Sequence, residues 1–242
     1  MHNITVRLKV LSFWLFLLLL APLLLWQGKQ ARRHTVRLPD AAGPQHGTCG
    51  EGSALHVQIL GESPVAGVGV TTQAHGLGPA LCSALAESQQ RQVHWHCHGH
   101  TGATLQGLLE AQAFPLAPTS LALIMLGVND ATKLTSLKQW RQQLELLHSK
   151  FTPSTPLFFA PVPPMQHFHA LPKPLSTWLG LRASLLNDVL SDFCQQHHNC
   201  HFLSYTNKPV PKHLLAEDGY HPSAIGYQQM GTELAATIAR IL

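Results

Sequence analysis

At 242 residues with 45% apolar content, the chain fits one globular domain with a full core and one very apolar segment. Charged residues are only 12%, and the formal charge of +4 owes much to one basic cluster after that segment. The remainder is near neutral, with no basic stripe and interleaved aromatics, which excludes a nucleic-acid footprint.

Residues 1–9 are a short basic N-terminus carrying Arg7 and Lys9. From Val10 to Trp26 the chain is almost wholly apolar. As a helix this stretch rises about 26 Å, close to a hydrocarbon core of about 30 Å. It is long for the apolar part of a secretory signal, and no small-x-small cleavage site follows it. The expectation is an uncleaved transmembrane anchor over 10–26, with a cleaved signal as the alternative. Trp14 and Trp26 suit interfacial placement. Lys29, Arg32, Arg33 and Arg37 outnumber Arg7, Lys9 and the amino terminus, which by the positive-inside rule would hold the C-terminal part in the cytoplasm.

Residues 27–54 read as a basic linker that turns rich in Ala, Gly, Pro and Ser. Beyond it, over 55–242, one domain is expected. Strand-like apolar runs fall at Leu55–Leu60, Gln92–Cys97, Leu121–Leu126, Leu157–Val162 and Cys200–Leu203. Helical faces lie between and after them: Leu137, Trp140, Leu144 and Leu147; Leu181, Leu185, Val189 and Phe193; Ile225, Leu234, Ile238 and Ile241. Strand–helix alternation predicts a three-layer α/β/α sandwich around a parallel sheet of about five strands. Five cysteines, an odd number with no CxxC, read as free buried thiols; a Cys194–Cys200 pair is the alternative.

Four short segments carry chemistry: Gly61-Glu62-Ser63, Thr101-Gly102-Ala103-Thr104, Gly127-Val128-Asn129-Asp130, and Asp218-Gly219-Tyr220-His221-Pro222. An Asp three residues before a His lets one loop deliver a proton-accepting imidazole and the carboxylate that orients it. Each segment follows a predicted strand or precedes the last helix, where the loops of a parallel sheet form its binding crevice. In this order the segments resemble the conserved blocks of the SGNH (GDSL-type) hydrolases, from about Val57 to the C-terminus.

The resemblance implies a flavodoxin-like fold and a serine hydrolase acting on carboxylic esters through an acyl-enzyme. Ser63 would be the nucleophile, His221 the general base and Asp218 its orienting carboxylate. The Ser63 and Gly102 backbone N–H groups and the Asn129 amide would form the oxyanion hole. Glu62 stands where the family has Asp, which adds one methylene. Asp130 is expected to support its loop. The substrate implied is a small-molecule or lipid ester, either a lipid acyl or an O-acetyl ester. No cofactor and no metal are implied. The family analogy favours the periplasmic or extracellular face of the membrane. Transfer of the acyl group to another alcohol, and a catalytically silent glycan- or lipid-binding module, are the alternatives. The alternating His94, His96 and His98 would share one face of a strand, a weak metal signal without accompanying carboxylates. Met165, Phe168 and Leu171, in a proline-rich stretch, are candidates for a pocket wall, although a rigid connection explains that stretch as well.

Overall fold

The computed structural model describes residues 2–111, 114, 118–203 and 208–242. Six strands form one sheet: β1 (His46–Cys49), β2 (Ala54–Gly61), β3 (Gln92–Gly99), β4 (Leu121–Met125), β5 (Leu157–Phe159) and β6 (Cys200–Phe202). Their order is β1-β3-β2-β4-β5-β6. All neighbours are parallel except β1, which runs antiparallel to β3 at the edge. The five strand-like runs of the sequence are β2 to β6. The sixth lies inside the stretch read as a linker. His46-Gly47-Thr48-Cys49 carries no apolar alternation and is held at the edge by backbone pairing, so periodicity is blind to it.

Among the described residues seven helices accompany the sheet: α1 (His2–His34), α2 (Leu77–Gln89), α3 (Leu105–Ala111), α4 (Val128–Thr132), α5 (Leu137–His148), α6 (Leu175–Gln196) and α7 (Ala224–Ile238). In β2, Val57 and Ile59 face one side with Leu81 and Leu85 of α2 and Ala235 and Ile238 of α7. Leu60 faces the other, with Leu105 and Leu108 of α3, Trp140 and Leu144 of α5, and Leu186 and Leu190 of α6. Two cores flanking one sheet make the three expected layers.

Two helices show where periodicity succeeds and fails. In α5, Ser136 and Gln139 form a reciprocal capping box, and Trp140, Leu144 and Leu147 are buried as their spacing requires. In α7 the expected Ile238 is buried and Leu234 packs on the core, but Tyr227, Gly231 and Ala235 carry the rest of the inward face. Ile225 and Ile241 are exposed. Small residues here let α7 approach α2 closely: a Cβ on Gly231 would lie 2.6 Å from the Leu81 nitrogen. An apolar-only count overlooks such a face.

Helix α1 is long and apolar enough to cross a membrane. It does not stand free of the domain. Phe13 stacks on Trp178 of α6, whose indole N–H donates to the Phe13 carbonyl. Lys9 pairs with Asp188 at 2.7 Å.

Candidate active site

Ser63 follows β2 in a tight turn, with the Val65 and Ala66 N–H groups donating to the Glu62 carbonyl and the Val68 N–H to the Ser63 carbonyl. Against this turn lies the loop that leads into α7. There the Asp218 carboxylate accepts from the backbone N–H groups of Tyr220 and His221 at 2.9 and 3.0 Å. The Ala216 N–H donates to the His221 carbonyl and closes the loop. The two loops interlock at Gly69. Its φ is +106°, and a Cβ there would sit 2.3 Å from the Pro222 carbonyl oxygen, so only glycine fits. Tyr227 of α7 adds a hydroxyl donating to the Val68 carbonyl at 2.6 Å.

That interlock brings three side chains into one hydrogen-bonded chain. The Ser63 Oγ lies 2.7 Å from His221 Nε2. The opposite ring nitrogen, Nδ1, lies 2.5 Å from Asp218 Oδ2. Ser63 and His221 are 158 residues apart in sequence. Burial pushes the Asp218 carboxyl up, but the hydrogen bond from His221 and those from two backbone N–H groups outweigh it and hold it below its ordinary value.

Asn129 stands in the first turn of α4, just after β4. Its side-chain amide donates to Glu62, and so does its backbone N–H, at 3.1 Å. The Val128 N–H donates to the other Glu62 oxygen at 2.9 Å. The residue beside the serine thus clamps the loop that carries Asn129. Glu62 is 4% exposed, and burial pushes its carboxyl up to about 7; the two backbone donors oppose this, nearby Asp130 reinforces it, and the Asn129 amide opposes it again. In the sequence, Glu62 stands out only as a departure from the family pattern.

Gly102 lies in the loop after β3. Its φ of +78° calls for glycine, while a Cβ there would meet nothing within 4 Å. The requirement within the chain itself is therefore conformational. Lys133, at the end of α4, donates to the Gly102 carbonyl at 2.8 Å and ties this loop to the one bearing Asn129. Asp130 accepts from the Leu105 backbone N–H and the Thr135 hydroxyl, and so supports the loop as expected. Its carboxyl is raised, chiefly by burial.

The proline-rich stretch does reach this region. The Phe168 ring meets Tyr220 edge-on at 5.7 Å between centroids. A shallow hollow beside them is lined by Phe168, His169, Val210, Leu215 and Tyr220. Met165 is buried and Leu171 packs on the core, so neither lines the hollow. His94, His96 and His98 do share a face: His94 stacks on His56 of β2, His96 stacks on His98, and His46 of β1 meets His96 edge-on. His94 contacts the Thr48 hydroxyl and His98 the Gln58 carbonyl oxygen. Among the described residues no group of three or more His, Cys, Asp or Glu side chains is placed to hold a metal ion. Cys194 and Cys200 are buried free thiols.

Comparison with known proteins places these loops in context. The sequence pattern of the GDSL-like lipase/acylhydrolase family matches residues 59–229, which hold all four segments. A GDSL-like esterase of Mycobacterium tuberculosis is 24% identical over 182 residues, covering 72% of this chain and 58% of that protein. The chain thus spans less than two thirds of this relative's length. Among solved structures, an α/β hydrolase from the Lake Arreo metagenome superimposes with a TM-score of 0.58 at 20% identity, covering 78% of this chain and 97% of that one. A lipase/acylhydrolase from Enterococcus faecalis gives 0.58 at 18% identity, with the same coverage. An acetyl-xylooligosaccharide esterase from Geobacillus gives 0.56 at 16%, covering 78% and 95%. At these identities the likeness is one of fold.

Proposed function

The chain belongs to the GDSL-like lipase/acylhydrolase family, and from that premise we propose that it is a carboxylic ester hydrolase that works through a serine nucleophile and an acyl-enzyme. The observation that carries the reading is the continuous chain Ser63 Oγ, His221 Nε2, His221 Nδ1 and Asp218 Oδ2, at 2.7 and 2.5 Å.

Ser63 attacks the ester carbonyl while His221 takes its proton at Nε2. Asp218 holds Nδ1–H, fixes the tautomer and stabilises the imidazolium that forms. Negative charge moves onto the carbonyl oxygen, where the Ser63 and Gly102 backbone N–H groups and the Asn129 amide receive it. The imidazolium returns the proton to the leaving alcohol. Water then enters, loses a proton to His221 and attacks the acyl group, and Ser63 regains its proton as the acid leaves. Glu62 acts before any of this by fixing Asn129. Its one bond to the Asn129 amide engages one N–H and leaves the second amide hydrogen for the oxyanion.

The test is hydrolysis of a p-nitrophenyl ester series of increasing chain length, for the full chain and Ser63→Ala. Activity is expected to fall by about 10,000-fold or more in the variant. The wild type is expected to react with a fluorophosphonate probe and the variant to stay unlabelled. A correctly folded wild type that neither hydrolyses any ester nor takes the probe would overturn the reading in favour of a silent binding module.

A further inference from the structure

Helix α1 presents two apolar stripes. Val6, Val10, Phe13, Leu17, Leu20 and Leu24 turn toward the domain, and Gln27 ends the row. Leu8, Leu11, Leu15, Leu18, Leu19 and Leu25 are exposed on the other side, with Trp14 and Trp26 beside them. A continuous exposed apolar band of this kind calls for an apolar partner.

The inner stripe fixes where that partner can lie. From the Lys9–Asp188 pair to Gln27, about 27 Å along the helix, α1 is strapped to α6. At the far end the Gln27 amide donates to the Lys173 carbonyl and its oxygen accepts the Leu175 N–H. Between them, the Arg182 guanidinium lies over the Phe13 ring. Turning α1 across a bilayer in this arrangement would carry α6, with Arg182 and Asp188, to hydrocarbon depth, where ionised groups are costly. A helix lying in the interface plane needs lipid on its outer face alone.

Charge identifies the surface. The first acidic residue of the chain is Asp40, whereas Lys29, Arg32, Arg33 and Arg37 cluster at the C-terminal end of α1 and just beyond it. All four are exposed. Anionic headgroups complement them. This end also touches the active-site loops. Thr35 lies against the Tyr220 hydroxyl, and Asp40 accepts from the Thr101 hydroxyl at 2.6 Å. The Ala41 N–H donates to the Ala66 carbonyl behind Ser63. Within a few residues, then, the strap after α1 meets the loops of His221, Gly102 and Ser63.

We propose that α1 lies in the plane of an anionic lipid surface, held by α6, and seats the mouth of the crevice on that surface. The ester hydrolysed is one that the bilayer carries, which rests on the serine-hydrolase reading above; the placement of α1 does not. The hollow beside Phe168 and Tyr220 supplies an apolar wall for an acyl chain at that mouth.

The experiment uses the full chain bound to phosphatidylcholine vesicles with and without phosphatidylglycerol. Hydrolysis of a fluorogenic acyl-ester lipid in the vesicles is compared with hydrolysis of dissolved p-nitrophenyl acetate. The triple variant R32Q/R33Q/R37Q is expected to lose about tenfold or more on the anionic vesicles, with its rate on the dissolved ester unchanged. Equal rates on both vesicle types, unaltered in the variant, would overturn the anionic seat. Depth is read separately with brominated lipids, as the quenching that Leu18→Trp adds to a Trp14→Phe, Trp26→Phe background, which itself keeps Trp95, Trp140 and Trp178. Strongest quenching by bromines near the headgroups supports the in-plane helix, and strongest quenching by bromines at the acyl-chain ends overturns it. If neither ester is hydrolysed, the serine-hydrolase reading fails, while the quenching still decides where α1 lies.

Discussion

Two carboxylates flank the Ser63 region, and nearly the same donor set treats them differently. Asp218 accepts two backbone N–H groups and one side-chain N–H; so does Glu62. Yet Asp218 is held below its ordinary value while Glu62 is pushed up to about 7. Burial is the largest influence on both and raises both. What separates them first is depth: Glu62 is the more deeply buried, and the Asp130 carboxyl nearby adds to the rise. Asp218 is less buried, so the His221 hydrogen bond and the two backbone donors, with the His221 charge behind them, prevail. Hydrogen-bond count alone does not set an acid's ionisation; the burial it has to offset decides the sign. Asp218 is thus suited to stabilise a transient imidazolium, and Glu62 to clamp a neutral side chain.

The largest effect should come from removing charge at Asp218. Asp218→Asn keeps the size of the side chain but offers His221 the wrong hydrogen-bond partner. kcat on a dissolved ester is expected to drop by about 10,000-fold with KM little changed. A loss of tenfold or less would mean that the two carboxylates are less specialised than the geometry implies. Next in size is Asn129→Ala, which removes the proposed oxyanion donor, the amide that Glu62 holds. A fall in kcat of about 100- to 1,000-fold is expected, again without a matching rise in KM.

The comparison also explains what a reader of the sequence sees. The segments of Ser63, Gly102 and Asn129 stand out in the sequence because each follows a predicted strand, and that of Asp218 and His221 because it precedes the last helix; their chemical roles belong to the proposed mechanism. Strands β2 to β6 were legible from continuous apolar runs. Glu62's clamp was not, since it depends on where the loop after β4 lands relative to the end of β2. Nor was β1, whose four residues carry no apolar alternation and pair with β3 at the edge of the sheet. The strap from Thr35 to Ala41 was hidden for the same reason: its composition is that of a linker, and its contacts exist only once the loops have converged. The inward face of α7 was read only in part because Gly231 and Ala235 do there what leucines do in α5.

A third prediction concerns stability. The Asp218 contribution is present above its unfolded value, near the ordinary carboxylate range, and is lost as pH falls through its lower folded value. For Glu62 the sign reverses. Its folded value of about 7 exceeds the unfolded one, so the native state holds the proton more tightly. Stability from this group is full below about pH 4.5 and declines as pH rises through 7, by about 3 kcal/mol in all. Urea unfolding of the wild type and Glu62→Gln from pH 5 to pH 9 is the measurement, at pH steps of about one unit. The difference between the two proteins should shift across neutral pH with this sign. A flat difference would show that burial does not hold the Glu62 proton.

The smallest effect tests whether the clamp serves the proposed chemistry. Glu62→Gln presents one oxygen where the carboxylate presented two, so it cannot accept from Val128 on one side and Asn129 on the other. Asn129 is then held less firmly, and kcat is expected to fall by about tenfold while KM stays within about twofold. If Glu62 acts through Asn129, the two substitutions are not additive: in an Asn129→Ala background, Glu62→Gln should cost almost nothing further. Full additivity would assign Glu62 a separate role, such as holding the turn that presents Ser63. In that case Glu62→Gln should also slow fluorophosphonate labelling in the Asn129→Ala background, because labelling reports the serine itself. The cycle and the labelling rate together therefore decide which side of Ser63 the buried acid supports.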